Sequence, residues 1–220
     1  FRNIQKRYPS GDLLVVTYTP SNDLFSDQSL EPLKELREEL KKVISVDNVL
    51  TILDAPLVKS SNVPLTEMIN NIPSLEKPGV DRLKAKEELI NSPIYRELLV
   101  SADGQTTALL LNLVENEEYV RLLRNRNELR AKRQKGKLSA DEILKLKRIT
   151  SQYDLAHKSA NERRHRDIRE IRDIIKRYQK YGVLYLGGVP MITDDMITFI
   201  RKDLLVFGGG VFIFLIIILT

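Results

Sequence analysis

The sequence predicts an α+β fold: a ferredoxin-like βαββαβ sandwich that carries a long charged helical hairpin as an insertion and is followed by a transmembrane helix. Three observations carry this reading. Apolar, β-rich runs at 13–18, 49–53, 97–101, 106–114 and 182–188 alternate with stretches of helical periodicity. Residues 116–181 hold 20 Lys or Arg against 10 Asp or Glu, a net charge of +10, whereas the whole 220-residue chain carries only +5. That imbalance marks a module set into an otherwise acidic domain. Residues 204–219 contain no charged side chain, and such a run is suited to hydrocarbon.

Phe1, Ile4 and Tyr8 fall at helical spacing and read as the end of a preceding helix within a 1–12 linker, broken by Pro9-Ser10-Gly11-Asp12. Residues 13–115 read as the first part of the folded domain. LLVVTY at 13–18 predicts a first strand with both faces largely buried. Ser29 is the expected N-cap of a helix with Pro32 in its first turn. Leu30, Leu33, Leu36, Leu40 and Val43 form its apolar stripe. Asp47-Asn48 reads as a turn and 49–53 as a second strand, so strand, helix and strand form the first half of a split βαβ unit. Residues 54–79 carry four prolines and read as an irregular segment with a short helix at 65–70. Asp81 is placed to cap a helix over 82–90, which Pro93 stops. Residues 97–101 and 106–114 read as a hairpin around Asp103-Gly104.

Residues 116–181 predict two helical arms. The first, starting at Glu115-Asn116, carries Tyr119, Leu122, Leu123 and Leu129 and ends near Arg133. Lys135-Gly136-Lys137 turns the chain. Ser139 and Glu142 then have the spacing of a capping box. The second arm runs to about Lys180 without Pro or Gly, with Leu146, Ile149, Tyr153, Ala156 and Ala160 at steps of three and four. The pattern resumes at Ile168, Ile171, Ile175 and Tyr178. The shorter first arm can cover only 140–160, so the second stripe requires another partner, and a sheet surface is the natural one. Residues 182–189 read as the last strand. Residues 190–220 read as an amphipathic connecting helix entering a membrane span cut after 16 apolar residues, where a span needs roughly 20. The chain is therefore expected to be an internal piece of a longer membrane protein.

Several chemistries find no support in these residues. Cysteine is absent, which excludes thiol catalysis, disulfides and thiolate metal sites. The two histidines, His157 and His165, stand eight residues apart, about 12 Å along a helix, too far to share a metal, and read as surface residues among charges. No phosphate loop, cofactor motif or nucleophile–base pair can be assembled, so neither an enzyme nor a cofactor is expected. Interspersed acids and few aromatics argue against nucleic acid as the partner of the basic hairpin. Gly208-Gly209-Gly210 reads either as a close-approach surface for another helix or as a flexible joint.

The run GGVPMITDDMITFIRKDLLVFG, which spans 187–208, resembles the junction of porter domain and second membrane helix in the resistance-nodulation-division superfamily, and more narrowly the MMPL, patched-like exporters of lipids and hydrophobic molecules. The opening SGDLLVVTYTPSNDLFSDQSLEPLKELREEL and the stretch IREIRDIIKRYQKYGVLYLGG are similar to the same group. The resemblance implies the first extracytoplasmic porter domain of a proton-driven exporter in a bacterial inner membrane. It also implies a second porter domain in the same polypeptide, and proton-relay acids on membrane helices outside these residues. Arg201 and Lys202 vote for a cytoplasmic domain, but long loops cross membranes largely regardless of charge.

Two candidate sites follow. Met191, Asp194, Asp195, Phe199 and Asp203 lie on the connecting helix, where movement of the span would couple to the domain. Asp194 and Asp195 read either as a proton or cation site at the membrane entrance or as acids favoured by the positive end of a helix dipole. At the hairpin tip, Arg130, Lys132, Arg133, Lys135 and Lys137 stand within eight residues that hold no acid, a surface for an acidic protein, lipopolysaccharide or lipid headgroups. The expected partners are thus the bilayer, a hydrophobic or lipid substrate, the second porter domain and a protein at the hairpin tip. A membrane-anchored scaffold whose hairpin binds a partner protein is the alternative from another class.

Overall fold

A computed structural model describes residues 13–58, 60, 73–77, 79–114 and 116–219. The helix end expected before residue 13, the short helix expected at 65–70 and Glu115 lie outside the described residues.

Strands β1 (Leu13–Pro20), β2 (Val46–Leu50), β3 (Thr107–Leu113) and β4 (Gly182–Gly187) form one sheet in the order β2-β3-β1-β4. Every neighbouring pair is antiparallel, so β1 and β2 run parallel to each other on either side of β3. Along β1, Leu14, Val16 and Tyr18 are buried while Val15, Thr17 and Thr19 are only half-buried. The sheet is therefore one-sided, not buried on both faces as LLVVTY suggests. The cause lies in its cover: helix α1 (Asp27–Leu40) and the C-terminal end of the long helix both put their apolar residues into the single core cluster with Leu14, Val16, Leu109, Leu111 and Leu184.

Helix α1 buries the stripe its spacing predicts, Leu30, Leu33, Leu36 and Leu40, and Val43 follows just beyond its end. Its N-cap is Ser26 rather than Ser29. Asp23 explains the shift: its Oδ1 accepts the Phe25 N–H at 2.9 Å, and the Ser26 hydroxyl donates to the Asp23 carbonyl at 2.7 Å. The chain is thus turned three residues earlier than Ser29 would do it. Pro32 consequently sits inside the helix, where its missing N–H leaves the Gln28 carbonyl without an i+4 donor.

Strand β2 also lies three residues earlier than 49–53, and Asp47-Asn48 is inside it at a register shift, not in a turn. Ile52 and Leu53 are buried in a turn instead, because the Asp54 carboxylate accepts both the Thr51 N–H and the Thr51 hydroxyl at 2.9 Å. A side-chain acceptor there replaces the ladder. Likewise only the second arm of the expected 97–114 hairpin is a strand. The Asp103-Gly104 turn forms, with Gly104 at φ +69° and Asp103 accepting the Gln105 N–H at 3.0 Å. Residues before it make only isolated bridges, and Glu97 adopts φ +62°, which breaks any extended run. Helix α2 (Arg82–Ile90) is capped by Asp81, whose side chain accepts from the Leu83 and Lys84 N–H groups.

Between β3 and β4 stand α3 (Glu117–Gln134) and α4 (Ala140–Tyr178), joined by a turn with Gly136 at φ +64°. Both hydrogen bonds of the Ser139–Glu142 capping box are present. Leu122, Leu129, Leu146, Ile149 and Tyr153 form a cluster of their own, whereas Ile168, Ile171, Ile174, Ile175 and Tyr178 belong to the main core. One continuous helix of 39 residues thus serves two cores. Helix α5 (Val189–Leu219) is a single 31-residue element, and it is the one helix among the described residues long and apolar enough to cross a membrane.

Candidate functional site

The candidate site is built where α5 leaves the sheet. Gly188 connects β4 to α5 at φ +126°, and a Cβ there would stand 2.6 Å from the Leu13 carbonyl oxygen. Only glycine can turn strand into helix in that one residue. Pro190 follows at the start of the helix, where a missing N–H is harmless. Met191 is half-buried against the main core.

Two acids then clasp α5 to α4. Asp194 is 8% exposed, and both its oxygens lie within reach of His165 Nδ1, at 2.8 and 3.0 Å. Asp195 accepts from Arg172 Nη2 with both oxygens at 2.8 Å. These acids are the sixth and seventh residues of α5, and its first turn holds no acid. The helix-dipole account is therefore corrected: that field fades within the first turn, and what engages the carboxylates is a pair of side chains on α4. His165 lies at the surface as expected, with its side chain 39% exposed, and its ring Nδ1 meets the buried Asp194 carboxylate there. Phe199 is 63% exposed and Asp203 is also exposed, so the structure gathers Met191, Asp194 and Asp195 at the domain and leaves the other two outside it.

The second histidine has a different setting. His157 stacks with Tyr119 and Tyr153 at centroid distances of 5.8 and 5.5 Å, and the two tyrosine hydroxyls are 3.2 Å apart. Arg126 lies over Tyr153 at 3.5 Å, a cation–π contact on the same stack. Burial, aided by the Tyr153 hydrogen bond, pushes the Tyr119 hydroxyl up to about 12. This aromatic stack closes the hairpin cluster at its sheet-proximal end. No group of three metal-ligating side chains occurs among the described residues.

At the hairpin tip Arg130, Arg133, Lys135 and Lys137 are exposed. Lys132 is exposed too, but it pairs with Glu142 at 2.7 Å. The tip is therefore not free of acid, because the first turn of α4 folds a carboxylate back onto it. That carboxylate also accepts the Ser139 N–H at 3.1 Å, and the Lys132 hydrogen bond holds it below the usual range.

One polar centre escaped the sequence reading. Arg37 is 4% exposed on the core side of α1 and reaches Glu38 at 2.9 Å and Asp54 and Glu76 at 2.8 Å. It ties the segment after β2 to the sandwich. Its signal was present, since Arg37 falls four residues after Leu33 and one after Leu36, on the apolar stripe.

No protein-family model matches the chain, and a search of the curated proteins finds no match.

Proposed function

We propose that this domain is the first extracytoplasmic porter domain of a proton-driven exporter of lipids or other hydrophobic molecules in a bacterial inner membrane. The strand order with β1 and β2 parallel around β3 is the order a ferredoxin-like sandwich of porter type requires. The observation that carries the reading is the rigid exit of α5. A single glycine, a core-packed Met191 and the Asp194–His165 and Asp195–Arg172 contacts join an apolar helix to a folded domain without a linker. Such a joint transmits tilt. In the proposed cycle, proton movement in the membrane helices tilts this domain against a second porter domain of the same polypeptide. A hydrophobic path between the two then opens to alternate sides.

The test is Thr198→Pro in the full polypeptide, reconstituted in proteoliposomes with a pH gradient and a fluorescent lipid analogue. A proline there breaks the helix beyond the clasp. Export is expected to fall about tenfold or more at unchanged membrane insertion, and wild-type export from the variant would remove the coupling claim. The exposed basic hairpin favours a second reading, a membrane-anchored scaffold that binds a partner protein. Gradient-dependent movement of the lipid analogue by the wild-type protein separates the two.

A further inference from the structure

The hairpin leaves apolar side chains uncovered beside its buried seam. On α4, Ile143 is 56% and Leu155 70% exposed, and together with Leu138 they line a groove of about 780 Å³ between α3 and α4. From Ile143 to Lys158 its α4 wall runs about 22 Å, some four helical turns. Its basic residues come from both helices: Arg130 and Arg133 from α3, Lys147 and Lys158 from α4. All four are exposed, and none forms an ion pair among the described residues. Asp154 is the one acid in the lining.

We propose that this groove docks an acidic amphipathic helix of a partner protein, completing a three-helix bundle. Two antiparallel helices bury one stripe of each other and leave a furrow one helix wide. A furrow with an apolar floor and cationic walls matches a helix with an apolar stripe flanked by Glu or Asp. A flat anionic bilayer matches the convex tip but not the floor of a groove. The inference concerns the hairpin alone and holds whether or not the domain is part of an exporter.

The chain has no cysteine, so a single Ser151→Cys on the groove wall accepts a spin label without competition. The labelled full chain, held in zwitterionic nanodiscs, is titrated with three probes. One is a four-turn peptide with Leu on one face and Glu flanking it, the second the same peptide with Lys for Glu, the third phosphatidylglycerol vesicles. The expected result is immobilisation of the label by the Glu peptide alone, weakened by salt. Binding is expected to fall about tenfold in Arg130→Glu/Lys147→Glu and comparably in Leu155→Asn, with circular dichroism unchanged. Equal binding of both peptides, no binding of the Glu peptide, insensitivity to both variants, or immobilisation by vesicles in place of peptide would each overturn the proposal.

Discussion

At the residue scale, the costly groups are the polar ones inside the sandwich. Arg37 is forked between two acidic partners from the segment after β2, and no other residue type reaches both carboxylates at once. Arg37→Met is expected to lower unfolding free energy by about 2–3 kcal/mol, since it removes the cation paired with Asp54 and leaves Glu76 only Lys34, 3.9 Å away. Arg37→Lys should recover only part, as read from urea denaturation. The tyrosines make the complementary prediction. Burial raises the hydroxyls of Tyr18, Tyr119 and Tyr178 to about 12, with Tyr181, Tyr153 and Glu39 respectively adding to it. A folded-state value above the ordinary 10 means that the fold favours the neutral phenol. Its contribution is intact below pH 10 and is lost as pH climbs toward 12. Thermal unfolding midpoints should therefore drop across that window, and less steeply in Tyr119→Phe/Tyr178→Phe. The Tyr18 hydroxyl is buried without a hydrogen-bond partner among the described residues, so Tyr18→Phe should be neutral or stabilising.

At the scale of elements, α4 decides the organisation. Its first apolar stretch packs on α3, its second on the sheet, and 157–167 joins two clusters that share no buried residue. The two ends should thus open separately. Ile149→Ala, about 2 kcal/mol of lost packing, is expected to accelerate amide exchange in α3 and in 140–156 while leaving the sheet protected. Ile171→Ala should instead weaken β1, α1 and β4 together; uniform loss of protection in both variants would contradict two units. Much of this was legible, because helical periodicity is a local signal: the stripes at 30–43, 146–153 and 168–178 and the Ser139–Glu142 box are read directly from residue spacing. Strand limits were not. VLTIL is as apolar as a strand, yet the Asp54 side chain takes the Thr51 N–H and ends β2 at Leu50. The clasp was illegible for a related reason. His165 and Asp194 are 29 residues apart on two helices, so no pattern within either one announces the pair.

At the scale of the whole molecule, the clasp makes the hairpin and the apolar helix neighbours through α4. Asp194→Asn/Asp195→Asn removes both charges while keeping the shape. Spin labels at Gln134→Cys and Thr198→Cys are then expected to show a broadened distance distribution. Unfolding of the sheet should change by less than about 1 kcal/mol, because Arg172 and His165 are partly solvated. An unchanged, narrow distribution would mean that the core contacts of Met191 hold the angle without the acids.

The short joint at Gly188 also sets a mechanical ratio. From His165, where α5 grips it, to the capping box at its start, α4 extends about 39 Å. A lean of ~10° in α5, carried through the clasp, sweeps the hairpin tip sideways by ~7 Å, more than the pitch of one helical turn. A motion that is small at the foot of α5 thus becomes, at the far end of the hairpin, a displacement longer than a helical turn.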